Sequence, residues 1–85
     1  MTYSVSIFPR AQRQLKNIPA RERRRIEEAI AELADAPRPA GCLKMQGQDR
    51  WRLRVGDYRV VYEIDDANQA VSVLVVGHRR DVYRT

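Results

Sequence analysis

The stretch Arg50-Trp51-Arg52-Leu53-Arg54-Val55-Gly56-Asp57-Tyr58-Arg59-Val60-Val61-Tyr62-Glu63 decides the fold. Arg50, Arg52 and Arg54 alternate with Trp51, Leu53 and Val55, the period-two pattern of a strand with one buried face. Gly56-Asp57 suits a two-residue hairpin turn with positive φ at its first position, which glycine adopts without a Cβ clash. A turn of those two residues sets Val55 opposite Tyr58, Arg54 opposite Arg59, Leu53 opposite Val60, Arg52 opposite Val61, Trp51 opposite Tyr62 and Arg50 opposite Glu63. Directly opposed residues project to the same side of a sheet. One side therefore carries Trp51, Leu53, Val55, Tyr58, Val60 and Tyr62, a core face. The other carries Arg50, Arg52, Arg54 and Arg59, with Glu63 at the rim. Opposed like charges such as Arg54 and Arg59 destabilise a hairpin. A polyanion is the partner that would reward such a face.

Working outward toward the N-terminus, Tyr3, Val5 and Ile7 alternate with Ser4, Ser6 and Phe8, which predicts a first strand. Pro9 is acceptable at the first helical position and cannot sit in a central strand. A short helix over Pro9–Asn17 places Ala11, Leu15 and Ile18 on one stripe. Pro19 opens a second helix over Ala20–Ala36, with Ile26, Ala29, Ile30 and Leu33 facing the core. Pro37 stops it, and the segment 37–49 reads as a loop in which Leu43 and Met45 pin the chain to the core. Toward the C-terminus, Asp65-Asp66-Ala67-Asn68-Gln69 is a polar turn. The near-continuous apolar run Val71–Val76 predicts a central strand buried on both faces.

The predicted order is β-α-α-β-β-β in one domain, residues 1–85. It is an α+β fold with two N-terminal helices packed on one face of a largely antiparallel four-stranded sheet. Periodicity does not say where the first strand joins. The helices need an apolar surface, which the Trp51/Leu53/Val60/Tyr62 side supplies, so the arginine side stays open.

Eighty-five residues with 44% hydrophobic and 32% charged side chains have a globular composition, near the lower size limit for an independent core. No apolar run approaches the ~18 residues of a membrane span, and no N-terminal segment resembles a secretion signal. The single cysteine, Cys42, excludes an internal disulfide and has no metal-ligand spacing around it; it reads as inert. A cytoplasmic protein is the simplest expectation. The formal charge is +5, and all but Lys16 and Lys44 of the sixteen cations are arginine. Guanidinium forks match phosphate geometry and stack on bases, which favours a nucleic-acid partner.

The second helix has a reversed charge order. Arg21, Arg23, Arg24 and Arg25 crowd its N-terminal half, and Glu27, Glu28, Glu32 and Asp35 follow. This opposes the helix macrodipole at roughly 0.3–1 kcal/mol per exposed end charge. Two readings stand: local Arg23–Glu27 and Arg24–Glu28 pairs, the simpler one, or a second basic surface for RNA.

The element order, the string Arg-Leu-Arg-Val-Gly-Asp-Tyr-Arg-Val-Val-Tyr-Glu-Ile (52–64) and the ending Val-Gly-His-Arg-Arg-Asp-Val-Tyr-Arg (76–84) resemble the RelE/ParE toxin superfamily. The resemblance is greater to the RelE-type, ribosome-dependent mRNA endonucleases, and it covers nearly the whole chain. It implies a microbial RNase-like fold and the toxin of a type II toxin–antitoxin system. It also implies cleavage of mRNA in the ribosomal A site, translation arrest and neutralisation by a cognate antitoxin. The implied chemistry uses no metal or other cofactor: the ribose 2′-OH attacks the adjacent phosphate, giving a 2′,3′-cyclic phosphate and a 5′-OH.

Carried onto this sequence, the family's basic positions before the turn fall on Arg50 and Arg52, its arginine after the turn on Arg59, and its C-terminal arginine and tyrosine on Arg79 and Tyr83. Catalytic roles are expected for Arg59, Arg79, Tyr83 and Arg52, and RNA binding for Arg50, Arg54, His78 and Arg80. Fixed cations suit the charge that develops on a phosphorane. Proton transfer falls to Tyr83, His78 or Glu63. Well-studied members often carry lysines where this chain has Arg50 and Arg52. An arginine is effectively always charged and cannot share a proton, so Tyr83 becomes the favoured base, with Arg79 and Arg59 lowering its pKa.

Two rivals accompany this expectation: a ParE-like inhibitor that poisons DNA gyrase without cleaving, and a non-catalytic RNA-binding domain. Each leaves an acidic, partly disordered antitoxin as the expected partner, either covering the arginines or displacing the C-terminal segment.

Overall fold

A computed structural model describes residues 2–78. In chain order the elements are β1 (Ser4–Ile7), α1 (Pro9–Lys16), α2 (Ala20–Glu32), β2 (Leu43–Lys44), β3 (Trp51–Val55), β4 (Tyr58–Asp65) and β5 (Ala70–His78). They form one sheet in the order β1-β5-β4-β3-β2.

The hairpin has the expected register, from Val55 opposite Tyr58 to Trp51 opposite Tyr62. Gly56 takes φ +60°, while Asp57 stays out of the positive-φ region, the pattern of a type II′ turn. Its twist matches that of the flanking strands, so the register propagates without a slip.

The helices cover the face that the alternation assigns to the core. Ala11, Leu15 and Ile18 from the α1 segment meet Ile26, Ile30 and Leu33 from the α2 segment over Leu53, Val60, Tyr62, Val71, Val73 and Val76. Trp51, Val55 and Tyr58 pack at the margin of this core. Fully buried side chains such as Ile26, Leu33, Val60 and Val73 each contribute roughly 1.5–3 kcal/mol relative to exposure. The Tyr62 hydroxyl, carried into this core, donates to the Pro37 carbonyl at 2.8 Å, which satisfies it and pins the segment after α2.

Three features differ from the expectation. The sheet has five strands, because Leu43–Lys44, read from sequence as loop, pairs antiparallel with Trp51 and Arg52. Two residues carry too little periodicity to be read as a strand; the neighbouring ladder creates this one. Second, α2 ends at Glu32 rather than Ala36. The Leu33, Ala34 and Asp35 amides bond to carbonyls three residues back, so the chain tightens out of α geometry before Pro37 is reached. Third, Arg23–Glu27 and Arg24–Glu28 are not closed ion pairs. Between described residues the ion pairs are Arg38–Asp66, Lys44–Asp49 and Arg50–Glu63.

The first strand, which periodicity leaves unplaced, runs parallel to β5 at the sheet edge, with Val5 beside Val71 and Ile7 beside Val73. β5 is an interior strand, as its apolar run predicts. β1 ends before β5 does, and α1 covers the exposed remainder: Gln14 Oε1 accepts the Val76 amide at 2.8 Å. The β4–β5 ladder contains a bulge. Val61 opposes Val75 but Tyr62 opposes Val73, which leaves Leu74 as an extra residue. Leu74 and Val75 both join Val61 in a small apolar cluster, with Met45 packed on it.

Arg38 ties the segment after α2 to the β4–β5 turn and to β3. Arg38 is ion-paired with Asp66 at 2.8 Å, and its guanidinium lies 5.1 Å from the Trp51 ring centroid, a cation–π distance. The Tyr3 hydroxyl donates to Asp66 at 2.6 Å. These bonds, the one from Arg38 first, hold the Asp66 carboxyl down at about 2.

Candidate functional site

The alternation that buries Trp51, Leu53 and Val55 sends Arg52 and Arg54 to the opposite face. The turn register brings Arg59 back beside Arg54. Arg52, Arg54 and Arg59 line one cavity of about 160 Å³, together with Gly41 and Leu43. No described carboxylate lines it. The short β2 contributes to its lining: Leu43 opposes Arg52 and so projects to the same side. Arg59 is half-buried, with its Nε withdrawn from solvent. Arg54 is more peripheral: its Nε donates to the Gly56 carbonyl at 3.3 Å, at the turn.

Arg59 faces Gly77 across the β4–β5 ladder. The bulge causes this. If the pairing of Tyr62 with Val73 continued without an extra residue, Val76 would face Arg59 and Val75 would point into the core. Inserting Leu74 reverses the alternation, buries Val76 and puts a residue without a side chain opposite the arginine.

The expected residues divide into three groups. Arg52, Arg54 and Arg59 come together as anticipated. Arg50 lies outside their cavity, 3.8 Å from the Glu63 carboxylate. Glu63 is four residues along β4 from Arg59, about 13 Å at the strand rise, and it lines a different cavity with Asp49 and Asp65. Its position offers no direct proton transfer at the Arg59 cavity. His78 opposes Tyr58, and the two rings meet edge to face at 5.8 Å. That pairing sets His78 on the side that the helices cover, away from the three arginines. Arg79, Arg80 and Tyr83 lie outside the described residues.

Sequence reading missed Gly41, Leu43 and Gly77 as neighbours of the arginines. The spacing Leu43-Lys44-Met45 carries a faint alternation that could have signalled β2. Nothing local signals that Gly77 faces Arg59, because the bulge that sets it lies three residues earlier.

Comparison with known proteins gives concordant results. The family model described as the ParE toxin of the type II toxin–antitoxin system parDE matches residues 5–83. Toxin RelG of Mycobacterium tuberculosis is 35% identical over 86 residues, covering 99% of each chain. Among solved structures, the archaeal RelE–RelB complex from Pyrococcus horikoshii OT3 superposes with a TM-score of 0.84 at 30% identity, covering 93% of this chain and 97% of the other. The toxin–antitoxin complex RelBE2 from Mycobacterium tuberculosis gives 0.79 at 30% identity, covering 93% and 100%. With a match along nearly its whole length and an arginine-lined cavity on the face its helices leave open, this chain belongs to the ParE toxin family of the RelE/ParE superfamily, and is the toxin of a type II toxin–antitoxin system.

Proposed function

We propose that this toxin is a metal-independent endoribonuclease that cuts translated mRNA in the ribosomal A site and so arrests translation in the cytoplasm. The observation that supports it is the convergence of Arg52, Arg54 and Arg59 on one cavity without a described carboxylate. Three guanidinium groups gathered on one face of a sheet suit a phosphate and the extra charge it develops in a five-coordinate transition state.

In this reading Arg59 and Arg52 hold the scissile phosphate. The ribose 2′-OH loses its proton to a base, for which Tyr83 is the assigned group, and attacks phosphorus. The P–O5′ bond breaks, and the departing oxygen takes up a proton. The products are a 2′,3′-cyclic phosphate and a 5′-OH. Arg79 stabilises the same charge, and Arg50, Arg54, His78 and Arg80 bind RNA around it. The edge contact of His78 with Tyr58 weakens its claim to a place beside the phosphate. Arginines cannot give up protons at neutral pH, so a base and an acid must come from elsewhere in the chain, the mRNA or the ribosome.

The partner that neutralises this activity is a cognate antitoxin, with which the toxin forms a hetero-oligomer. Relatives solved with RelB include the Pyrococcus horikoshii and Mycobacterium tuberculosis toxins. The test of the catalytic reading is in vitro translation with the antitoxin-free protein, followed by analysis of the mRNA ends. A cyclic phosphate at A-site codons in translated, but not naked, mRNA is expected. Intact translated mRNA would overturn it.

A second reading has one observation behind it: the matching family model is that of the ParE toxins. A gyrase-directed inhibitor of this fold would leave mRNA whole and provoke a DNA-damage response on induction.

A further inference from the structure

The reversed charge order of α2 is not closed by ion pairs within the helix. Arg21, Arg24 and Arg25 are exposed and Arg23 is half-exposed, yet none forms an ion pair with Glu27 or Glu28. These residues occupy the first two turns of α2, within about 6 Å along its axis. That end of the helix abuts the β3–β4 turn. An ideal Cβ on Gly56 would lie 3.9 Å from Arg25 Nη1, while Arg54 Nε donates to the Gly56 carbonyl. Guanidinium groups from α2 and from β3 thus approach one turn residue. A cleft of about 170 Å³ between α2 and the turn is lined by Glu22, Arg25, Val55, Gly56, Asp57 and Tyr58. The positive surface of the Arg52/Arg54/Arg59 cavity is therefore continued around the turn by Arg25, which shares its cleft with Glu22 and Asp57, and by the exposed Arg21 and Arg24 on the same helix, while Arg23 lines a separate cavity with Glu27.

The chemistry of this surface selects its partner. A stable protein interface has an apolar centre. The exposed large hydrophobic residues among the described ones are Phe8 and Leu43, and neither lies on α2. Sequence-tolerant binding of single strands relies on aromatic stacking platforms, and α2 carries no aromatic residue. What remains is a row of exposed guanidinium groups on one helix, which suits the regularly spaced phosphates of double-helical RNA.

We infer that Arg21, Arg24 and Arg25 form a second RNA contact, gripping the backbone of double-helical RNA while the cavity across the turn engages the strand to be cut. This surface rests on the nuclease reading only for its biological setting; its binding is measurable without cleavage. The charge order that costs the isolated helix some stability is then offset when phosphates are bound.

The test uses the full chain carrying Arg21→Gln, Arg24→Gln and Arg25→Gln together. Glutamine has nearly the helix propensity of arginine, so the fold is kept, and thermal melting checks this. Affinity for a short RNA duplex and for one of its strands is measured across a salt series. The triple variant should bind the duplex roughly 10- to 100-fold more weakly, with a salt slope reduced by about 2–3. Replacing the same three by lysine should restore most of the binding, and antitoxin affinity should be unchanged. Unchanged duplex affinity and slope overturn the inference, as does loss of antitoxin binding with RNA binding retained. A wild-type chain that grips duplex through these arginines but cuts no mRNA overturns the nuclease reading alone. A cutting-competent triple variant that binds duplex like wild type overturns this surface alone.

Discussion

Arg59 and Gly77 oppose each other across β4 and β5, and the single extra residue Leu74 makes them partners. At this position β5 presents no side chain to the arginine. Substituting Gly77→Val should place a branched side chain there while favouring the strand. Cleavage is expected to fall at least tenfold with the melting temperature little changed. Full activity in the variant, measured on translated mRNA, would show that the space beside Arg59 is not used.

Arg59→Ala removes the one cation of the cavity that β4 supplies. Loss of a group that stabilises developing charge commonly costs about 10²–10³ in rate. A drop of that order is expected, with the antitoxin-bound fold retained, because Arg59 lies on the face opposite the main core. Arg54→Ala, at the edge of the same cavity, should raise the concentration of ribosomes required more than it lowers the maximal rate. Comparing single-turnover cleavage of the two variants separates these effects.

Gly56→Ala isolates the backbone requirement of the turn. The added Cβ meets nothing nearer than Arg25 Nη1 at 3.9 Å, an ordinary contact. What remains is the cost of φ +60° for an L-residue, roughly 1–2 kcal/mol. Urea denaturation should report a loss of that size. A neutral result would mean that the turn relaxes to another type.

Asp66 predicts a pH dependence of stability. Its carboxyl is held at about 2, below its ordinary 3.8, by Arg38 first and Tyr3 second. Because the folded value is depressed, the contribution is complete above the unfolded pKa and is lost as pH falls from about 4 toward 2. Wild type should exceed Asp66→Asn in urea midpoint near neutrality, and the gap should close across that acidic window. A gap independent of pH would rule out the ionised carboxylate as its source.

The β3–β4 hairpin was legible in full because its determinants are local. Two residues of turn and a period of two leave one register, and that register assigns Trp51, Leu53, Val60 and Tyr62 inward and Arg52, Arg54 and Arg59 outward. The start of α1 at Pro9 and the start of α2 after Pro19 were legible for the same reason. The resemblance to the toxin superfamily likewise rested on two short strings.

Other features depend on contacts that no stretch of sequence contains. β1 lies beside β5 although more than sixty residues separate the partners, and nothing in Tyr3–Phe8 names that neighbour. β2 is a strand because β3 offers it an edge. His78 stands next to the family-like basic ending yet meets Tyr58 rather than the arginine cavity. The bulge at Leu74 decides that placement: one unpaired residue reverses every later alternation, and the continuous apolar run Val73–Val76 hides where it falls. The sequence by itself determined which residues form the charged face, since turn and periodicity act over a few bonds. Only the tertiary structure decided what faces that charge, since Gly77 and Leu43 reach it through pairing between strands distant in the chain.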